Sequence, residues 1–184
     1  GIVGEKDYLY REGNDISEIF AREIENNLWI KEHLSCGKQF GKFWSTGEYS
    51  YRSEFCAGDG LLLAGDAFAF LDPVFSSGVF LALKSGEMAA DAVSNALKTG
   101  DFSAGQFESY GRELCHGIES MRALVYAFYD ESFSFGDLIK AHPSMRSDLT
   151  DCLIGDVFKD FSELFQAVSD FANVPTKLKH GLVA

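Results

Sequence analysis

Apolar residues recur at every third or fourth position through the second half of the chain, which predicts amphipathic helices. One such stripe comprises Phe107, Tyr110, Leu114, Ile118, Met121, Val125 and Phe128. A second comprises Leu149, Leu153, Val157, Phe161, Leu164, Val168 and Phe171. It lies between Pro143, which can open a helix, and Pro175. We expect both stripes to face a core or a neighbouring helix rather than a cofactor.

The first half of the chain alternates between helical and extended patterns. A helix is predicted from Asp15 to about Asn26, because Asp15 can cap its first turn and Glu18 follows three residues later. Residues 39–46 and 48–55 alternate loosely around Thr46-Gly47, which predicts an antiparallel pair in which Tyr49 and Tyr51 share a face. The run Leu61–Ala64 is apolar without alternation, as is typical of a strand in a parallel sheet.

A further helix is predicted from the Ser-Ser-Gly sequence at 76–78 to about Leu97, where Thr99-Gly100 closes it. One of its stripes carries small residues at helical spacing, namely Ala82, Gly86, Ala89 and Val93. Small side chains let a helix backbone lie close against a neighbouring element. The chain is therefore predicted to be α+β, with short strands on the N-terminal side and mostly helix from residue 78 onward.

Length and charge exclude several classes of protein. The 184 residues predict one domain or slightly more, and the net charge is 16 − 28 = −12 with no basic segment. Nucleic acid and anionic membrane surfaces are therefore poor partners. The longest nearly uncharged stretch, Ala67–Leu83, contains Asp72 and Pro73, so no membrane span is predicted.

Cysteine and histidine usage points to an ordinary reducing environment. The four cysteines form no C-x-x-C pair and the chain shows no signal peptide, so reduced thiols and a cytoplasmic location are expected. The four histidines are scattered, so no metal site is predicted. The opening residues Gly1-Ile2-Val3-Gly4 resemble the tail of a strand already begun. We therefore expect the chain to be a portion of a longer protein.

Residues 61–87 carry the candidate chemistry. Asp66 follows the predicted strand, where a carboxylate can accept hydrogen bonds from sugar or ribitol hydroxyls. Ser76, Ser77 and Gly78 open the helix, whose first N–H groups and positive dipole end suit an anion or an electron-rich oxygen. The simpler interpretation is that Asp66 is a turn residue and Ser76 or Ser77 an ordinary helix cap.

The same segment resembles the second flavin-binding motif of the para-hydroxybenzoate hydroxylase superfamily of FAD-dependent monooxygenases. The sequence Gly65-Asp66-Ala67, followed by residues 70–79 (FLDPVFSSGV), is most similar to flavin-dependent halogenases and their relatives. Residues 49–52 (YSYR) and 153–158 (LIGDVF) also resemble phenol- and pyrrole-type members of that group. The resemblance spans most of residues 45–160.

The resemblance implies a fold and a set of site residues. The chain would be a fragment of an FAD/NAD(P)-binding α/β fold. Residues 1–57 would end the substrate-binding sheet and carry one or two helices, 58–100 would complete the FAD-binding domain, and 101–184 would form a helical C-terminal region. FAD would contact Gly65, Asp66, Pro73, Ser76, Ser77, Gly78 and Val79, with Asp66 on the ribitol. A chloride ion would lie against the amides of Ser77 and Gly78.

Several family features are missing from this chain. It lacks the G-x-G-x-x-G sequence that cradles the FAD pyrophosphate, the catalytic lysine and the Trp-x-Trp-x-Ile-Pro signature. The resemblance therefore implies an upstream Rossmann-type portion of the same protein that carries the lysine, together with a separate flavin reductase and a small-molecule substrate. The complete protein would be an oxidoreductase that halogenates or hydroxylates an aromatic compound. The alternatives are a geranylgeranyl-reductase-like flavoprotein and a fragment without activity of its own.

Overall fold

The computed structural model describes residues 1–47 and 50–184. The chain forms two compact units, Gly1–Glu48 and Tyr49–Ala184. The first unit contains the short helices α1 (Lys6–Leu9), α2 (Ile16–Asn26) and α3 (Leu28–Leu34). The predicted start of α2 is confirmed, because the Asp15 carboxylate accepts hydrogen bonds from the backbone N–H groups of Ser17 and Glu18.

The second unit begins with four two-residue strands. They are β1 (Tyr51–Arg52), β2 (Ala57–Gly58), β3 (Leu61–Leu62) and β4 (Ala69–Phe70). β1 pairs antiparallel with β4, and β2 pairs antiparallel with β3. Five helices follow: α4 (Gly78–Thr99), α5 (Glu108–Tyr129), α6 (Phe135–Ala141), α7 (Arg146–Leu153) and α8 (Ser162–Val168). The predicted order, short strands and then mostly helix from residue 78, is confirmed.

The predicted antiparallel pair around Thr46-Gly47 is wrong. Residues 39–46 form no strand, and β1 pairs with β4 instead. The rings of Phe40 and Trp44 are 93% and 88% exposed, so the alternating pattern buries no apolar face there. Glu48 and Tyr49 lie outside the described residues, and the prediction that Tyr49 shares a face with Tyr51 falls there too.

The predicted parallel strand at Leu61–Ala64 is also wrong in this chain. Only Leu61–Leu62 is a strand, and it pairs with Ala57–Gly58 across the turn Asp59-Gly60. An Asp-Gly pair favours a tight hairpin turn, so the local pairing forms. Leu61 remains 60% exposed, whereas a strand of a covered parallel sheet would be buried on both faces.

The second predicted helical stripe is divided between α7 and α8. Helix α7 ends at Leu153, and the connection contains Gly155, whose φ of +97° places it in the left-handed region. A Cβ at this position would lie 2.7 Å from Cδ1 of Phe80, so only glycine fits against that ring. Val157 and Phe161, in the connection, remain fully or almost fully buried, so the stripe still faces the core as predicted.

Helix α5 runs through the centre of the second unit. Its Tyr110, Leu114 and Ile118 pack with residues around β2 and β4, while Met121 and Leu124 pack with residues of α6, α7 and α8. The predicted burial of the first stripe is confirmed for every member except Phe128, which is 43% exposed. Within the described parts of the chain, every helix is too short or too polar to cross a membrane.

Candidate functional site

Gly65, three residues after β3, packs directly against helix α4. Its φ is +54°, and a Cβ here would lie 3.2 Å from Cβ of Ala82. The Gly65 N–H donates to Oγ of the buried Ser85 at 2.8 Å. Ala82 lies four residues into α4, about 6 Å along the helix axis from its start. The Gly-Asp turn is therefore held against the first two turns of α4.

Asp66 follows in a short 3-10 turn, Gly65–Ala67. Its carbonyl oxygen accepts a hydrogen bond from the Tyr51 hydroxyl on β1. The side chain is exposed, and its carboxylate has no hydrogen-bond or ion-pair partner among the residues that the structure describes. The backbone of Asp66 is thus fixed while its carboxylate is available to a ligand.

The loop between the Gly-Asp turn and α4 contains a second 3-10 turn, Pro73–Phe75. Oδ1 of Asp72 caps this turn by accepting the Val74 N–H at 2.9 Å. Ser76 follows with φ +54°, and it is the one non-glycine residue with positive φ among those described. This strained conformation reverses the chain so that Ser77 leads directly into α4.

Helix α4 begins without a cap. Ser77 occupies the N-cap position, but its side chain makes no capping hydrogen bond. No backbone acceptor is found within the described residues for the N–H groups of Ser77, Gly78 and Val79. A Cβ placed on Gly78 would meet no atom within 4 Å, so this end of the helix is open. Unpaired N–H groups and the positive dipole end together can hold an anion or an electron-rich oxygen.

The positive potential at this end of α4 comes from the backbone rather than from side chains. No Lys or Arg occurs between Ser53 and Leu83. Lys84 is the nearest cation along the chain, and its Nζ pairs with Oε2 of Glu87 at 2.7 Å. The hydrogen bond from Lys84 to Glu87 raises the pKa of the ammonium group. Lys84 is therefore engaged in an ion pair within α4.

Sequence reasoning missed the residues that anchor the loop. The Tyr129 hydroxyl, at the end of α5, donates to Oδ1 of Asp72 at 2.9 Å. The Phe75 ring packs edge-on against the rings of Phe128 and Phe135, with centroids 5.4 and 6.4 Å away. Phe128 belongs to the predicted helical core stripe, and no local signal marks Tyr129. The aromatic content of residues 128–135 was the available clue.

A buried ion-pair network was also missed. Nη1 of Arg52, on β1, donates to Oε1 of Glu119 on α5 at 2.7 Å, and the two side chains are 3% and 7% exposed. Nη2 of Arg52 donates to the carbonyl oxygens of Leu178 and His180 at 3.0 and 2.7 Å. The network thus fastens both β1 and the C-terminal segment to α5, and β1 carries the Tyr51 hydroxyl that holds Asp66.

Comparison with known proteins finds relatives over most of this chain. It is 30% identical over 158 residues to the 1H-pyrrole-2-carbonyl-[peptidyl-carrier protein] chlorinase of Pseudomonas fluorescens, covering 86% of this chain and 35% of the relative. It is 34% identical over 160 residues to the corresponding brominase of Pseudoalteromonas luteoviolacea, covering 86% and 39%. No protein-family profile matches the chain.

The fold is similar to that of a solved halogenase structure. The flavin-dependent brominase Bmp2 superimposes with a TM-score of 0.72 at 29% sequence identity. The match covers 90% of this chain and 41% of that protein. The chain therefore spans about two fifths of the length of the relatives that it matches.

Proposed function

We propose that this chain, which is homologous to flavin-dependent halogenases over most of its length, forms the C-terminal portion of such an enzyme. The complete polypeptide would halogenate a small aromatic substrate. O2 would be the oxidant, and reduced FAD, supplied by a separate flavin reductase, would activate it. The observation that carries the proposal is the uncapped start of α4 beside the Gly-Asp turn.

The residues present fit an FAD site of this kind. The unpartnered carboxylate of Asp66 would accept hydrogen bonds from the ribitol hydroxyls, with Gly65 holding that turn on α4. The amides of Ser77, Gly78 and Val79 would face the electron-rich pyrimidine edge of the flavin. Pro73 and Ser76 would shape the loop that presents those amides. In this proposal residues 1–57 end the substrate sheet, 58–100 complete the FAD domain, and 101–184 support it.

The halide would lie against the amides of Ser77 and Gly78. An anion there gains from the helix dipole, and the stretch from Ser53 to Leu83 contains no Lys or Arg to draw it away. In a chain of net charge −12, a fixed backbone site is a physically reasonable way to hold chloride or bromide. In this proposal the catalytic lysine would lie in an upstream segment.

The direct test is an assay of the full-length polypeptide that contains this chain. The mixture would contain FAD, a flavin reductase with NADH, O2, bromide or chloride, and pyrrole-2-carbonyl on a peptidyl-carrier protein, the group named for two relatives. Mass spectrometry should show halogen in place of hydrogen. A hydroxylated or reduced product, with turnover indifferent to halide, would contradict the proposal.

The 184-residue chain alone is expected to retain no FAD, because it lacks the pyrophosphate cradle.

The role of Asp66 has its own test. In the full-length polypeptide, Asp66→Ala should weaken FAD binding roughly tenfold to a hundredfold, since a charge-assisted hydrogen bond contributes about 1.5–3 kcal/mol. The measurement is a titration followed by flavin fluorescence. Asp91→Ala, which removes an exposed carboxylate further along α4, is the matched control and should leave the affinity unchanged. Equal affinity for wild type and Asp66→Ala would make Asp66 only a turn residue.

The halide position can be tested independently of activity. Crystals of the full-length protein soaked in bromide should show anomalous density beside the amides of Ser77 and Gly78. Bromide bound elsewhere, or none with flavin present, would contradict this placement and favour hydroxylation or reduction.

A further inference from the structure

Two peptide planes flank Cα of Asp66, and each of them is held by hydrogen bonds. In the plane before Cα, the Gly65 carbonyl accepts the N–H of Phe68 at 2.9 Å. In the plane after it, the Ala67 N–H donates to the carbonyl three residues earlier at 3.2 Å, and the Asp66 carbonyl accepts the hydroxyl of Tyr51. Because φ and ψ are the two soft rotations of a residue, holding both planes fixes the direction of the Cα–Cβ bond. The backbone therefore aims the carboxylate of Asp66.

The Gly-Asp turn is held from two sides. One side is the contact with α4 described above. The other side is β1 together with Ser53, the residue that follows it. The Ser53 hydroxyl donates to the Ala67 carbonyl at 3.2 Å, and the Ser53 N–H donates to the Phe68 carbonyl at 2.8 Å. With the hydroxyl of Tyr51 on the Asp66 carbonyl, three consecutive carbonyls of this segment are bound by residues 51 and 53.

Arg52 anchors the segment that makes these contacts. Side chains alternate along an extended chain, so Tyr51 and Ser53 reach the Gly-Asp turn while Arg52 points the other way. The buried guanidinium of Arg52 is bound to Glu119 of α5 and to two carbonyl oxygens of the C-terminal segment. A guanidinium with three acceptors has little freedom to move. The Tyr51 hydroxyl is therefore held in place by α5, independently of the contact between the turn and α4.

We propose that Tyr51 is a positioning residue for the flavin, whose hydroxyl sets FAD affinity by holding the Asp66 carboxylate in the orientation that binds the ribitol. The inference rests on the proposed function, in which Asp66 is the ribitol ligand. The hydroxyl binds the backbone carbonyl of Asp66 and not its carboxylate, so its effect on FAD passes through the backbone. Without the hydroxyl, the peptide after Asp66 can rotate and only a fraction of molecules present the carboxylate correctly. The apparent Kd then rises by the reciprocal of that fraction.

The test is a double-mutant cycle on FAD affinity in the full-length polypeptide that contains this chain. The cycle compares wild type, Tyr51→Phe, Asp66→Ala and the double variant. Tyr51→Phe keeps the ring and removes only the hydroxyl, while Asp66→Ala keeps the backbone carbonyl that the hydroxyl binds. Each substitution thus removes one group without disturbing the other, as such a cycle requires. Titration followed by flavin fluorescence gives the Kd without turnover.

The two backgrounds should respond differently to loss of the hydroxyl. In the wild-type background, Tyr51→Phe should raise the Kd for FAD roughly twofold to tenfold, the effect of one hydrogen bond between neutral groups. In the Asp66→Ala background the same substitution should leave the Kd unchanged, because no carboxylate remains to be oriented. Tyr126→Phe is the matched control. It removes the hydroxyl of a tyrosine on α5 that is 54% exposed, and it should leave the affinity unchanged.

A general structural role for Tyr51, or a direct contact between its hydroxyl and FAD, would give another pattern. Tyr51→Phe would then raise the Kd by the same factor in both backgrounds, and equal factors would overturn the inference. Wild-type affinity in Tyr51→Phe would also overturn it. Wild-type affinity in Asp66→Ala, or no FAD binding by the wild type, would overturn both the inference and the ribitol role of Asp66.

The cycle measures binding, so its outcome is separate from that of the halogenation assay. A full-length polypeptide that halogenates but shows equal factors would overturn the inference and leave the proposed activity intact. One that binds FAD with the expected cycle but does not halogenate would support the role of Tyr51 and contradict the proposed activity.

Discussion

Helices α4 and α5 have the same length, 22 residues, but very different surroundings. Twelve residues of α5 are buried, against three of α4. Helix α5 is enclosed by strands on one side and by α6, α7 and α8 on the other. Helix α4 rests on the core along a single face. The chain therefore contains one helix that is enclosed and one that keeps an exposed apolar side.

The two helices, which differ in burial, also contribute differently to the candidate site. Helix α5 supplies support, since Tyr129 and Phe128 hold the loop and Glu119 holds β1. Helix α4 supplies the uncapped amides of the candidate site at its start. Variants of the two helices test whether α5 is enclosed and α4 is exposed on one side.

The largest effect is expected from the buried network on α5. Glu119→Ala removes the partner of Arg52 and Arg122 and leaves a buried guanidinium unpaired, which should lower the free energy of unfolding by about 3–5 kcal/mol. Urea denaturation of the 184-residue chain measures this change.

Amides of residues 176–184 should also exchange faster in Glu119→Ala, because Arg52 and Arg122 hold the carbonyls of Thr176, Leu178 and His180. Glu108→Ala, whose pair with Arg112 is exposed, is the control and should cost under about 1 kcal/mol.

A paired truncation compares the two helices directly. Leu124→Ala removes a fully buried side chain of α5 and should lower the free energy of unfolding by about 2–5 kcal/mol. Leu83→Ala removes a side chain of the same size from α4 at a position that is 72% exposed, and should change the free energy of unfolding by about 0.5 kcal/mol or less. Both are measured by urea denaturation of the isolated chain. Similar losses of stability would show that Leu83 is covered as Leu124 is, and the two helices would then not differ in this respect.

The sequence predicted much of α5 and of the site but little of what joins them. The stripe from Tyr110 to Val125 identified α5 because helical spacing of apolar residues is a local signal. The motif at 65–79 identified the candidate site through its resemblance to a family. The hydrogen bonds Arg52–Glu119 and Tyr129–Asp72 join residues 67 and 57 positions apart, and no local pattern encodes such pairs. Two-residue strands are similarly unpredictable, since their pairing depends on tertiary packing.

The smallest effect is a pH dependence at the end of α5. Asp130 is the C-cap residue there, and hydrogen bonds from the Ser132 hydroxyl and the Asn173 and Ser132 amides lower its pKa from 3.8 to about 2. The folded chain thus favours the ionised carboxylate, whose contribution is complete above the unfolded pKa of about 4. As the pH falls from about 4 toward 2, the unfolded chain binds this proton first and the contribution is lost. The Asp130→Asn variant should therefore lose less of its free energy of unfolding over this pH range than the wild type loses. Urea denaturation at several pH values measures the difference. If the free energy of unfolding of Asp130→Asn falls with pH as steeply as that of the wild type, other carboxylates govern acid unfolding, and the anchored end of α5 does not.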